Sequence, residues 1–389
     1  MNILFINAGS YINLDMMNAV ILLYSSVNAD EMGYFFGNED IYYNDRFESM
    51  LLKQINCRKY DLAISTNFYP VVARICNDKD LKYLAWCYDT PMRIEPEEIK
   101  KYDNSYVFSF DRIDTEIYKK AGVEKIYHLP LAIDTGRLDK FSASKRFGGD
   151  VSFVGKLYRP QIQKVKMGID ENLSAYVDKL ISVQRGIPDR FVVEDLISQP
   201  ILDEFNRQYK ENGRKLKIGK VELSHVISEY VTYLDRVVIL EMMARRFDTH
   251  FYTYELKEDE KKILKNVKIH GEINYFTEMP SMFKSNKINI SGSFRAAKSA
   301  IPLRALDIMG CKAFLLSSSR PELLEHFEDG KELAIYSSEA EAVDKAGYYL
   351  EHESEREKIA LAGYEKIKRD FGYKDRLQRM FELSEVKIN

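Results

Sequence analysis

Residues Lys287–Leu316 read KINISGSFRAAKSAIPLRALDIMGCKAFLL, and the apolar periodicity changes twice within them. Ile288 and Ile290 alternate with polar neighbours, the two-residue period of a strand, and Gly292 and Ser293 break it. Pro302 then opens a helical spacing that carries Leu303, Leu306 and Met309. Gly310 is expected to close that helix, and Ala313–Leu316 reads as the next strand. Strand, loop, helix, strand is the unit that builds parallel sheets and places loops at strand C-termini, where open α/β sheets hold ligands. The stretch is therefore the expected centre of a ligand site.

Working outward, 389 residues with 45% hydrophobic content supply apolar side chains for two domains. Charge is nearly balanced, 57 basic against 60 acidic residues, which argues against a general nucleic-acid partner. Cys57, Cys76, Cys87 and Cys311 form no C-x-x-C pair, so reduced thiols in a cytoplasmic protein are expected, with no metal. The N-terminus enters Ile3–Ile6 without a preceding basic region, so no signal peptide is expected, and no apolar run approaches the ~18 residues of a transmembrane segment.

Ahead of the opening stretch, short apolar runs alternate with helical spacings. Strands are expected at Asn2–Ile6, Asp61–Ser65, Lys82–Tyr88, Tyr106–Ser109 and Lys125–Leu129, with helices at Met16–Tyr24, Phe47–Ile55 and about 114–121. This is a doubly wound α/β pattern. Periodicity fades over Pro130–Gly149 and restarts with Asp150–Gly155, so a second α/β domain is expected from residue 149. A helical insertion follows at about 161–246, then strands at Thr249–Tyr254 and Val267–His270 and a helix at Tyr275–Lys284. After the opening stretch come a strand at Glu332–Tyr336 and closing helices at Glu339–Leu350, Glu353–Arg369 and Lys374–Val386.

No G-x-G-x-x-G, Walker A or G-x-S-x-G motif is present, which leaves dinucleotide binding and serine hydrolysis without support. Asp78-Lys79-Asp80 precedes an expected strand and reads as a solvated turn. Anion binding has better support, because a diphosphate needs backbone N–H donors at a helix start together with side-chain cations. Gly292 and Ser293 offer the backbone, and Arg295, Lys298 and Arg304 the charge; Gly155, Lys156 and Arg159 repeat the combination at another strand end. Asp307 is placed to accept hydrogen bonds from both hydroxyls of a ribose, or alternatively to pair with Arg304 at i, i+3. His270 and Gly271 end an expected strand that faces the same site.

From Asp150–Gly155 through Gly271-Glu272-Ile273, Tyr275, Glu278-Met279-Pro280 and IPLRALDIMGC to Pro321-Glu322-Leu323 and Gly330–Leu333, the chain resembles the glycosyltransferase group 1 superfamily. It is most similar to the branch typified by spore maturation protein CgeB. Tyr349–His352, Arg356–Ala360 and Ala362-Gly363-Tyr364 extend the resemblance, and Asp89-Thr90-Pro91 with Leu129–Ala132 resemble the companion domain. The resemblance implies a GT-B fold of two Rossmann-like domains facing across a cleft. An acceptor domain (1–148) would be followed by a nucleotide-sugar domain (149–372) and a final helix (373–389) crossing back. It also implies Asp307 on the ribose, Lys156 and Arg159 on the diphosphate, and Gly271 and Tyr275 within the nucleotide site. One departure stands out: eight residues before Asp307, where the family carries a sugar-contacting acid, the residue is Ser299.

The expected activity is transfer of a hexose or N-acetylhexosamine from a nucleotide diphosphate, with UDP leading. The acceptor would be a protein, polysaccharide or small glycoside, and no cofactor or metal is needed. Asp89, at a strand end before Pro91, is the candidate catalytic base, and its alternative is a turn-forming Asp-Thr-Pro. Two other readings stay open at this point: a nucleotide-sugar epimerase and a non-catalytic sugar-nucleotide-binding or assembly protein.

Overall fold

The computed structural model describes residues 1–37, 39–158, 161–215 and 217–387. The chain divides into two compact units: Met1–Thr135 with Ile367–Asn389, and Gly136–Lys366.

The first unit is built on strands β1 (Asn2–Asn7), β2 (Asn28–Gly33), β3 (Leu62–Thr66), β4 (Lys82–Cys87), β5 (Ser105–Ser109) and β6 (Ile126–His128). They form a parallel sheet in the order β2-β1-β3-β4-β5-β6. Ile3, Leu4, Phe5 and Ile6 are wholly buried, as a central strand covered on both faces requires. The apolar expectations therefore land on real strands. The exception is β2, whose sequence NADEMG gives no strand signal because it is an edge strand with only Met32 buried. The closing helix Tyr373–Leu383 belongs to this unit. Tyr373 meets Trp86 edge-on at 6.1 Å, Arg376 Nε donates to Pro130 O at 3.1 Å, and Ile133 N donates to Phe371 O at 2.9 Å.

The second unit carries β7 (Gly149–Val154), β8 (Thr249–Tyr252), β9 (Lys268–His270), β10 (Asn286–Ser291), β11 (Leu315–Ser318) and β12 (Ala334–Tyr336). The order is β12-β11-β10-β7-β8-β9, again parallel, so the winding direction reverses between β7 and β10. Between β7 and β8 lies the helical region, with helices Ile162–Lys166, Glu171–Gly186, Val193–Leu196, Gln199–Glu211 and Lys220–Ala244. The last is one continuous 25-residue helix. Its first half, through Leu223, Ile227 and Val231, closes a separate apolar core with Val177, Phe205 and Tyr209. Its second half, through Ile239, Leu240 and Met243, packs on the sheet. One helix thus fastens the insertion to the sheet.

Two local expectations shift. The helix after β10 runs Leu303–Gly310 but is closed by Lys312 in the left-handed region (φ 58°), not by Gly310. Cys311 N and Ala313 N return to Asp307 O and Ile308 O at 3.1 and 3.2 Å, which satisfies the last carbonyls and delays β11 by two residues. The helix expected from Tyr275 begins at Met279, because the Asn274 side chain caps Phe276 N and Thr277 N in a preceding turn.

Candidate active site

The loops that leave β7 and β10 meet at the reversal point of the second sheet, and a cavity of about 280 Å³ opens beside them. Phe153, Gly292, Ser293 and Arg295 come from these two strand ends; Ser318, Ser319 and Arg320 follow β11; Tyr336 to Glu339 follow β12. The insertion adds Arg185, Gly186 and Pro188, and helix Lys220–Ala244 adds Thr232, Asp235, Arg236 and Ile239. Four arginines therefore face two carboxylates, Asp235 and Glu339.

Each arginine is held differently. Arg295 donates from Nε to Asp235 Oδ2 and from Nη1 to Pro188 O at 2.9 Å. Arg320 Nη1 shares that carbonyl at 2.8 Å. Pro188 is fixed in turn by the buried Gln184 side chain, which bonds Ile187 O, Arg190 O and Val192 N at 2.9–3.0 Å. Arg185 reaches Asp235 only at 3.8 Å and is the most exposed of the four.

Arg236 is the unusual one. It is buried, Nη1 donates to Lys156 O, and Nη2 donates to Gly292 O at 3.1 Å, so one guanidinium ties together the loops after β7 and β10. Its Cζ lies 5.2 Å from the Phe153 ring centroid and 4.8 Å from that of Tyr158. Among the described residues no carboxylate pairs with it, and Nε has no hydrogen-bond partner. Burial pushes its pKa down from the ordinary arginine value, and the opposing pull of Tyr158, Tyr336 and Asp235 does not cancel this. Gly155 fits this arrangement: at φ +152° a Cβ there would stand 3.3 Å from Arg236 Nη1.

The residues singled out from sequence are not all brought together. Gly292, Ser293 and Arg295 line the cavity. Lys156 is exposed and lies on a separate depression of about 500 Å³ with Tyr158 and Tyr254, its Nζ 5.8 Å from the Tyr254 ring. Arg159 lies outside the described residues. Lys298 is buried in an ion pair with Glu194 of the insertion at 3.0 Å. Asp307, buried, accepts from Tyr275 Oη at 2.8 Å and from Arg304 at 3.0 Å, in a narrow crevice with Arg137 and Met279. Gly271 is exposed at the end of β9. Asp89 belongs to the other unit, where it is exposed after β4 and accepts from Asn67 Nδ2 at 2.8 Å. Sequence reading missed Arg185, Arg236 and Arg320, because a single arginine in a helix or loop carries no spacing signal.

His270 does not face the cavity. It stacks on His250 at 5.0 Å and on Tyr252 at 4.5 Å, with Nε2 3.1 Å from His250 Nδ1. Burial, His250 and Lys268 lower its pKa against the opposing pull of Asp248. The folded state then binds fewer protons than the unfolded one, so stability is expected to fall as pH drops through the ordinary histidine value of about 6.5. Thermal melts of wild type and His270→Gln across pH 5–8 check this; the variant should show the shallower slope.

Residues 236–382 match a family model described as glycosyl transferase-like. Among solved structures, Anabaena HepE in complex with UDP-glucose superposes with a TM-score of 0.56 at 10% identity, covering 98% of each chain. Sucrose-phosphate synthase from Thermosynechococcus elongatus gives 0.58 at 8% identity, with 99% of this chain and 98% of that one covered. The fold is that of the GT-B glycosyltransferases. An alpha-glucosyltransferase in complex with UDP and a 13-mer DNA gives 0.57 at 9% identity over 99% of each chain. No curated protein sequence matches the chain. Within this GT-B chain the matched segment starts at Arg236, so most of the insertion lies outside it.

Proposed function

We propose that the protein is a glycosyltransferase that moves a hexose or N-acetylhexosamine from a nucleotide diphosphate, with UDP as the nucleotide, and that the second unit holds the donor. The observation that carries this reading is Arg236, a buried cation without a carboxylate partner, in a cavity at the reversal point of the sheet. A buried charge left unpaired costs several kcal/mol, about 3–5 when a partner has been removed, so its missing counter-ion is naturally an anionic ligand. Gly292 and Ser293 place backbone groups beside it, and Arg295 and Arg320 add positive field where charge collects on a leaving diphosphate. Arginine supplies that charge without a metal. UDP is supported by the relatives, since HepE binds UDP-glucose and the alpha-glucosyltransferase binds UDP.

In this reading the first unit serves the acceptor, a protein, polysaccharide or small glycoside, and its Asp89 is the candidate base, oriented by Asn67. Placement in the CgeB-like branch and a cytoplasmic location belong to the same proposal; they rest on the quoted motifs and on three buried free thiols, Cys76, Cys87 and Cys311.

Calorimetry with UDP and a panel of UDP-sugars, followed by assay of released UDP, tests the reading. UDP-dependent heat and slow donor hydrolysis are expected. Absence of both, or an epimerised sugar formed without acceptor, overturns it.

A further inference from the structure

The cavity walls carry more than cations. Thr232, Ser293, Ser318, Ser319, Ser337 and Ser338 line it beside Asp235; Thr232 Oγ1 donates to Ser228 O and accepts from Arg295 N, Ser338 Oγ accepts from Glu341 N, and the Ser293 and Ser318 hydroxyls bond each other. This polar wall suits a ring that presents hydroxyls, with the Asp235 carboxylate, which only accepts, as its strongest acceptor. Ser299 takes no part: it is fully buried, and its hydroxyl donates to Glu322 Oε1 at 2.6 Å.

Asp235 is both fixed and incompletely used. Its Oδ2 accepts from Arg295 Nε, while Oδ1 lies 3.8 Å from Arg185 Nε, beyond hydrogen-bond reach, and the side chain is 20% exposed. Its neighbour in sequence, Arg236, clamps the loops after β7 and β10, so the backbone that carries Asp235 is tied to the anion position. A carboxylate has about four acceptor positions, and Arg295 occupies one.

We infer that Asp235 reads the sugar of the donor, accepting hydrogen bonds from adjacent hydroxyls of a neutral hexose; this rests on the cavity being the nucleotide-sugar site. The same carboxylate disfavours a sugar that bears its own negative charge, because like charges at contact distance repel in a partly buried setting.

The test compares wild type, Asp235→Asn and Asp235→Glu, using UDP as inhibitor and UDP-glucose, UDP-galactose and UDP-glucuronate as donors in the hydrolysis assay. Asp235→Asn keeps the shape but weakens the acceptor. It is expected to lower kcat/KM for the preferred neutral donor by about 10- to 100-fold, the factor for one charge-assisted hydrogen bond, while the inhibition constant of UDP stays within about twofold. Asp235→Glu should recover part of the loss, and UDP-glucuronate should be the poorest donor for wild type. A parallel loss of UDP and donor affinity would show that Asp235 only holds Arg295 in place, and an unchanged kcat/KM would also overturn the inference. Wild type that neither binds UDP nor hydrolyses any donor would instead sink the functional proposal itself.

Discussion

Arg236→Met is expected to weaken UDP binding by about 100-fold while changing the stability of the unliganded protein much less. The two halves of this expectation share one cause. A buried guanidinium without a carboxylate burdens the empty fold, and removing it relieves a desolvation cost that offsets the hydrogen bonds to Lys156 O and Gly292 O lost with it. The same charge, once a diphosphate is bound, forms a desolvated charge-assisted contact whose truncation typically costs about 2–5 kcal/mol. Two of its donors already hold Lys156 O and Gly292 O, so methionine also loosens the two loops, which works in the same direction on binding. Calorimetry and thermal melts with and without UDP measure both halves. Wild type at a ligand concentration of 100 Kd should gain about 2.7 kcal/mol, and the variant almost none. A variant that binds UDP like wild type would mean that the diphosphate sits elsewhere, the depression beside Lys156 and Tyr254 being the next place to look.

The second large effect is on stability. Gly363 lies in helix Glu353–Asp370, and a Cβ there would stand 2.3 Å from Glu332 O and 3.0 Å from Met309 Cε. The first contact is with backbone just before β12, so no side-chain rotation relieves it; the helix or the strand end must move. Gly363→Ala is expected to cost about 3 kcal/mol, the upper part of the range for overpacking, despite alanine's better helix propensity. For a unit of this size that corresponds to a fall in melting temperature of about 6–12 °C. Calorimetry decides it, and a change below about 1 °C would show that the helix can rise off the strand freely.

Gly363 also marks how far the sequence could be read. The tripeptide Ala362-Gly363-Tyr364 was visible as part of a resemblance, but the close approach that requires glycine depends on Glu332, distant in sequence. The apolar strands were legible because burial on both faces leaves continuous runs such as Ile3–Ile6. β2 was not, since an edge strand with mostly exposed side chains has no pattern to show. At the candidate site, Gly292, Ser293 and Arg295 were legible from loop chemistry. The pairing of Arg304 with Asp307 was one of the two readings that their i, i+3 spacing allowed, and the fold realises it, whereas Glu194, the partner that takes Lys298, is distant in sequence and was not legible. Charge in a sequence gives the sign of a side chain, while its availability depends on what the fold sets opposite it. Arg236 is the converse case, a residue with no sequence signal whose importance comes from the carboxylate it lacks.

The first unit draws on both ends of the chain, Met1–Thr135 and Ile367–Asn389, with the whole of the second unit between them. During synthesis the ribosome must therefore make Gly136–Lys366 before it delivers the helix that covers Trp86 and Pro130. The first sheet begun is thus the last unit finished, and the contiguous second unit can complete its fold while the first still waits for its closing helix.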